Sequence, residues 1–202
     1  MRQLKDKTLL VATHNRGKLE EIEHLLSPLG TTVIGAMDLD LPIPDETACD
    51  FIGNARLKAQ SASSATGLPA LSDDSGLEID ALNGAPGVHT ADWAETGSGR
   101  DFVAAMTRAH QRLEDIAAPH PRRARFCCAL ALIWPDKHEE VTCGTINGEL
   151  VWPMRGDLGH GFDPIFKPDG YDQTFGEMDR WTKNSISHRA VAIKQLIANG
   201  LA

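Results

Sequence analysis

Two adjacent carboxylates flanked by hydroxyls stand at the end of an apolar run, in the stretch Ser72-Asp73-Asp74-Ser75-Gly76-Leu77. Carboxylates so placed hold a divalent metal or take a proton from water, and α/β proteins build such sites where strands end. The preceding Gly67-Leu68-Pro69-Ala70-Leu71 reads as a short strand entered through a turn, and Gly76 permits a sharp bend on the way out. An isolated acidic pair of this kind is equally consistent with a solvated turn. The remaining polar clusters decide between the two.

Four such clusters stand out. Thr13-His14-Asn15-Arg16-Gly17-Lys18 is a polar turn opening a helix, where free backbone N–H groups and a lysine in the first turn suit a phosphate. It lacks the glycines and the hydroxyl of a Walker A loop, and Asn15 serves equally well as a helix cap. Asp45-Glu46 precedes a helix carrying Asn54 and Lys58; Glu46 suits either a metal or the helix N-terminus, and Asn54 and Lys58 share one helix face. Gly159-His160-Gly161-Phe162-Asp163-Pro164 sets two rings beside glycines, which fits either stacking on a flat base or a turn with Phe162 in the core. Lys183-x-x-Ile186-Ser187-His188-Arg189 gathers cationic groups where the last helix begins, as an anion site or a solvated helix start.

The elements that must position these groups follow from periodicity. Residues 9–12 read as a buried strand, and Leu19, Ile22, Leu25, Leu26 and Leu29 form a helical stripe that Gly30 is placed to end. Residues 33–34 form a second strand, 41–46 are extended because of their prolines, and 51–65 read as an Ala-rich helix. Leu77, Ile79 and Ala81 alternate with polar residues as in a strand with one wet face, followed by a loop over 83–87. Phe102, Met106, Ala109, Leu113 and Ile116 mark another helix, closed by Pro119 and Pro121. Residues 126–134 are a long apolar strand, and Asn147-Gly148 between 141–146 and 149–152 signals a hairpin. A long loop over 153–170 and a helix over 187–198, before Gly200, complete the chain. This order predicts an α/β fold with a mixed sheet and at least one antiparallel hairpin.

Bulk composition narrows the class. A chain of 202 residues fits one domain that buries about 70% of its unfolded surface, and 42% hydrophobic with 24% charged content is ordinary for a globular protein. No apolar run reaches the ~20 residues of a membrane span, and the stretch after Met1-Arg2-Gln3-Leu4-Lys5-Asp6-Lys7 is too short for a signal-peptide core, which predicts a cytoplasmic protein with no membrane partner. Cys49, Cys127, Cys128 and Cys143 show no Cys-x-x-Cys spacing and are expected to be buried free thiols. A net charge of -8 argues against a nucleic-acid polymer as partner. It leaves room for a small polyanion, given local cations and a divalent metal.

Thr13-x-Asn15-x-x-Lys18, Phe51-x-x-Asn54-Ala55-x-x-Lys58-Ala59, Ser72 to Leu77, Gly161-Phe162-Asp163-Pro164 and Ser187-His188-Arg189 occur in the order seen in the inosine triphosphatase family. From about residue 8 to 198 the chain resembles that family's bacterial pyrophosphatases of non-standard purine nucleoside triphosphates. The resemblance implies a single two-lobed, elongated α/β domain over residues 1–202, with a mixed central sheet, a substrate cleft between the lobes and a homodimeric assembly. It implies hydrolysis of ITP, dITP or XTP to the monophosphate and pyrophosphate with Mg²⁺. By that resemblance Asp74 is the general base, Glu46 and Asp74 are the metal ligands, and Asp73 is a supporting partner. Thr13, Asn15, Lys18 and Lys58 match triphosphate contacts, His14, Arg16 and Gly17 join them in the same substrate-binding turn, and Ser75 matches a further substrate contact. His160, Gly161, Phe162, Asp163, Lys183, His188 and Arg189 match the nucleoside-binding set, where donors to a 6-keto oxygen leave adenine unpaired and rejected. His160 stands where a Phe is expected, and Phe162 replaces a Tyr or Trp, which bears on base selectivity. A nucleotide sensor without catalysis is the alternative; Asp74, Glu46 and Lys18 speak against it.

Overall fold

Short apolar runs alternate with amphipathic ones, and the computed structural model, which describes residues 4, 7–199 and 201, converts them into strands and helices. Most of the opening segment read against a leader, and Gly200, lie outside the described residues. In chain order the elements are β1 (Thr8–Val11), α1 (Arg16–Leu26), β2 (Thr32–Gly35), α2 (Phe51–Thr66), β3 (Ala70–Ile79), β4 (Glu95–Thr96), β5 (Gly99–Arg100), α3 (Phe102–Asp115), β6 (Arg122–Ile133), β7 (Glu139–Leu150), β8 (Phe166–Pro168), α4 (Arg180–Ile186) and α5 (His188–Ala198). The main sheet has the order β2-β1-β3-β6-β7-β8. β1 runs parallel to β2 and β3, and β7 antiparallel to β8, so the sheet is mixed, as the element order predicts. No helix among the described residues is long and apolar enough to cross a membrane.

The chain divides into two compact units. The first comprises the described residues up to Asp74, Cys128–Gly144 and the described residues from Arg189; the second comprises Ser75–Cys127 and Thr145–His188. In the first unit the two-residue period of a strand sorts the core into two layers. Leu9, Val11, Leu71, Cys128, Leu130 and Leu132 pack with Ile22 and Leu26 of α1 and with Ile193 and Leu196 of α5. Their strand neighbours face α2: Ala129, Ala131 and Ile133 meet Ala55 and Ala59, and Leu10 and Ala70 meet Ala62. Small residues on α2 let it lie close to the sheet, which is why this helix reads as Ala-rich. Each fully buried Leu or Ile contributes about 1.5–3 kcal/mol.

The helix ends of this unit are capped as their sequences suggest. The Asn15 side chain accepts from the Lys18 N–H, and Asp50 accepts from Gly53. Gly30 adopts φ 64° after the last turn that follows α1. In the second unit Leu77, Ile79, Met106, Leu113, Phe126 and Phe166 build the core, and Asp101 caps α3 through the Ala104 N–H.

Several expectations are corrected. Residues 67–71 and 77–81 are not separate strands around a bend: β3 runs unbroken from Ala70 to Ile79, Gly76 stays extended within it, and the two aspartates lie in mid-strand. The neighbouring β1 ends at Val11 opposite Leu71, so the carboxylates lie just past the carboxyl end of β1 rather than of their own strand. Asn147-Gly148 is no hairpin either, because β7 continues through it to Leu150. Gly148 serves close approach: a Cβ there would lie 2.4 Å from the Lys167 carbonyl oxygen of β8. The turn joining β6 to β7 lies at 134–138, where the Trp134 N–H meets the His138 carbonyl and Lys137 takes φ 68°. The long loop over 153–170 contains β8, and α4 precedes the last helix, started by Asp179 accepting from the Trp181 and Thr182 N–H groups. All four thiols are free, but only Cys128 is buried; Cys127 is half-buried, and Cys49 and Cys143 are exposed. Adjacent strand residues face opposite ways, which separates Cys127 from Cys128. Gly148→Ala is expected to destabilise the protein by about 1–3 kcal/mol, the cost of overpacking against β8, as measured by urea unfolding.

Candidate active site

The alternation that sorts the core also separates the two aspartates. Asp73 shares its face with Leu71 and so meets α1 and α5: its Oδ2 receives Lys18 Nζ at 2.9 Å and Arg189 Nη2 at 2.8 Å. Arg189 Nη1 in turn donates to Glu21 Oε2 at 2.5 Å, and Asp73 and Arg189 are both buried. Asp74 shares its face with Ala70 and meets α2. Its Oδ2 accepts from Asn54 Nδ2 at 3.2 Å and its Oδ1 from Lys58 Nζ at 3.2 Å, and the same ammonium donates to Glu46 Oε1 at 2.6 Å. Just below Asp74, the Ser72 hydroxyl donates to the Ala55 carbonyl of α2.

These surroundings push the two carboxyls in opposite directions. Burial alone would raise the pKa of Asp73, but the charges of Lys18, Arg189 and Lys58 outweigh it and hold the group far below the usual carboxylate range. Burial raises the pKa of Asp74, Glu46 adds to the rise, and Lys58, Lys18 and the Asn54 hydrogen bond only partly oppose it. Burial would lower the pKa of Lys58, but Asp73, Asp74 and Glu46 raise it on balance. One carboxyl is thus a fixed charge, and its neighbour holds a proton more readily than an ordinary aspartate.

Lys58 supplies a test of the site's fit to a metal, because its ammonium already lies between Glu46 and Asp74 as a cation would. Among the described residues no group of three or more His, Cys, Asp or Glu side chains is placed to hold an ion. Two carboxylates nevertheless suit a small divalent ion that completes its shell with phosphate oxygens and water.

The turn after β1 has a buried Thr13, whose hydroxyl accepts from the Asn15 N–H at 3.2 Å, and Asn15 Oδ1 accepts from Lys18 N–H at 3.1 Å. Asn15 therefore caps the helix. Arg16 and Gly17 form its first turn, Arg16 exposed and Gly17 half-buried. The N-terminus of an eleven-residue helix with Lys18 beside it favours an anion. His14 turns elsewhere, its Nε2 lying 2.7 Å from the Leu41 carbonyl oxygen.

In the second unit the 159–163 loop is organised by Asp163, which is buried and accepts from the His160 N–H at 2.5 Å and from the Lys183 ammonium. Lys183 also lies 5.6 Å over the Phe175 ring. Gly159 is required, since a Cβ there would stand 2.2 Å from Asp163 Oδ2. Phe162 is 1% exposed and meets Phe102 edge-on at 6.2 Å, so it fills the core and has no face to offer a base; the exposed ring of this loop is His160. His188 is buried and stacks on Phe126 with centroids 5.1 Å apart. Ser75 is half-buried and begins this unit. Arg189, grouped by sequence with His188, belongs instead to the first unit with Asp73. Glu21 went unassigned in the sequence, though it lies three residues from Lys18 on the same helix face. Asn54 stood in a motif without a role, and the structure supplies one: its Oδ1 accepts the Ala48 N–H at 2.9 Å while its Nδ2 serves Asp74.

Known proteins share the fold and much of the sequence. Residues 9–199 match the model of the Ham1 family. The chain is 64% identical over 190 residues to a dITP/XTP pyrophosphatase of Ruegeria pomeroyi, covering 94% of this chain and 93% of the relative. It is 52% identical over 201 residues to the dITP/XTP pyrophosphatase of Rhodospirillum centenum, covering 100% and 98%. Among solved structures it is similar to a HAM1 protein from Coxiella burnetii, with TM-score 0.87 and 36% identity over 95% of this chain and 97% of that one. The Staphylococcus aureus Ham1 protein superposes with TM-score 0.82 and 32% identity over the same shares. With the motifs in order, the fold matched and nearly the whole chain covered, the protein belongs to the Ham1 family.

Proposed function

We propose that this protein hydrolyses dITP and XTP, and ITP with them, to the nucleoside monophosphate and pyrophosphate. The observation that carries the reading is the placement of neighbouring carboxyls on opposite faces of β3, Asp73 held by Lys18 and Arg189 and Asp74 by Asn54 and Lys58, with their pKa values displaced in opposite directions, beside a helix N-terminus. Asp74 accepts the proton of the attacking water as the bridge between the α- and β-phosphates breaks, a role that contributes about 10²–10⁴-fold to rate. Lys18, Lys58 and the N–H groups at the start of α1 hold the triphosphate, with Thr13, Asn15, Arg16 and Gly17 shaping that turn and Ser75 adding a contact. Glu46 and Asp74 would hold Mg²⁺, which when bound would neutralise phosphate charge and lower the pKa of nearby water. Arg189 acts through Asp73, fixing its charge and orientation.

The nucleoside end falls to His160, Gly161, Asp163, Lys183 and His188. The His160 ring offers a stacking face, and donors fixed by Asp163 suit a 6-keto oxygen. Adenine presents a donor at that edge and leaves those groups unpaired, which disfavours ATP. The setting of the reaction is the cytoplasmic nucleotide pool, and the working assembly is a homodimer.

Product identification tests the assignment. With Mg²⁺ and ITP, dITP, XTP, ATP or GTP supplied in turn, pyrophosphate is expected as the first product from the first three, at rates well above those for ATP and GTP. Orthophosphate as the first product would refute the pyrophosphatase assignment, and binding without turnover would favour a sensor.

A further inference from the structure

Glu46 stands on a segment with little to hold it. Residues 42–47 have no regular secondary structure, and among the described residues they make no backbone–backbone hydrogen bond. Pro42 and Pro44 lack the N–H groups that would permit one. Two side chains tie the strap at its ends. Asn54 Oδ1 receives the Ala48 N–H, and at the other end His14 Nε2 meets the Leu41 carbonyl at 2.7 Å, across 27 positions of sequence. His14 is half-buried beneath the strap, lining a shallow hollow with Ala12, Leu41, Pro42, Pro44 and Lys58.

We propose that His14 is a positioning residue, which fixes the strap through the Leu41 carbonyl so that Glu46 reaches the metal beside Asp74. A carbonyl only accepts, so Nε2 carries the proton; the neutral Nε2–H tautomer and the imidazolium both satisfy the bond. Lys58 pairs with Glu46 and the Leu41 N–H bonds the Ala36 carbonyl; a further tie that holds the strap in its working conformation removes ordering cost from metal binding. Partners hydrogen-bonded directly to a metal ligand are worth about 10–100-fold in metal affinity, and a tie five residues from Glu46 belongs at the low end of that range. Such a role differs from the phosphate contact that the neighbours of His14 in the turn suggest.

The inference rests on Glu46 and Asp74 as the metal site, so its test separates the two. Mn²⁺ binding to the nucleotide-free protein, followed through the EPR signal of the free ion, is compared for wild type, Glu46→Gln, His14→Ala and His14→Gln. Glu46→Gln and His14→Ala are both expected to weaken binding, the latter by about tenfold. His14→Gln should recover most of the affinity, because its amide N–H stands where Nε2–H stood, and that recovery guards against a folding defect as the cause. In kinetics His14→Ala should raise the Mg²⁺ needed for half-maximal rate and leave nucleotide KM at saturating Mg²⁺ unchanged. Normal Mn²⁺ binding by His14→Ala, with Glu46→Gln impaired, would overturn the positioning role and leave the metal site standing. A raised nucleotide KM at saturating metal that His14→Gln does not relieve would make His14 a substrate contact and overturn it as well. Unimpaired binding by Glu46→Gln would remove the metal site and the inference together.

Discussion

Asp74→Asn is expected to lower kcat by about 10²–10⁴-fold while leaving nucleotide affinity within a few-fold of wild type, read by steady-state pyrophosphate release and by equilibrium binding. The amide keeps the shape of the side chain and its contact with Lys58 or Asn54, but it accepts no proton from water. The same variant carries a stability signature. The folded pKa of Asp74 lies above its ordinary value, mainly through burial and with Glu46 adding to it. Such a group stabilises the fold fully below its unfolded pKa of about 3.9, and the contribution is lost as pH rises through the folded value. At neutral pH its charge works against the fold, so Asp74→Asn should melt at a higher temperature than wild type in metal-free buffer. A variant with reduced Tm and undiminished kcat would remove Asp74 from the role of base and from the account of its electrostatics alike.

Asp73→Asn should do the reverse, costing about 3–5 kcal/mol of stability in urea unfolding, because it withdraws the carboxylate that Lys18 and Arg189 share in a buried position. Arg189 retains Glu21, while the second anion its guanidinium requires is gone. The pH dependence has the opposite sign from that of Asp74. The folded pKa of Asp73 is depressed, so its contribution is present above about pH 3.9 and is lost as pH falls through the lower folded value. Wild type should lose stability steeply in that acid window, and Asp73→Asn more gently. Its residual activity should keep the wild-type pH profile, since the base is intact. A loss under about 1 kcal/mol would show that the buried network contributes no more than a surface pair.

Much of this molecule is legible along the chain, for reasons that are local. Asn15 caps α1 because a side-chain acceptor beside free N–H groups needs no distant partner, and Gly30 ends the short turn that follows α1 because φ 64° is nearly free for glycine. The apolar stripe from Leu19 to Leu29, the Ala-rich α2 and the long apolar β6 depend on period alone, and they appear where the pattern puts them. The order of five weak motifs was enough to suggest the family. Where a local signal has two uses, the sequence is silent about which applies. Asn147-Gly148 makes a hairpin in isolation, but β8 lies against Gly148 and the strand runs on. Phe162, directly after Gly161, suits a stacked base, yet the core of the second unit takes it.

The acidic pair itself shows where the boundary lies. Sequence alone determined that two carboxylates stand together at the end of an apolar run, and that lysines and a helix N-terminus are available elsewhere in the chain. It was silent on what each carboxylate would meet, because Arg189 is 116 residues from Asp73 and 168 from Glu21. Only the tertiary structure laid α1 and α5 on one face of β3 and α2 on the other. Since neighbouring residues of a strand point to opposite faces, Asp73 met Lys18 and Arg189, and Asp74 met Asn54 and Lys58, which also holds Glu46. Two identical side chains thereby became a fixed anion and a carboxyl of raised pKa.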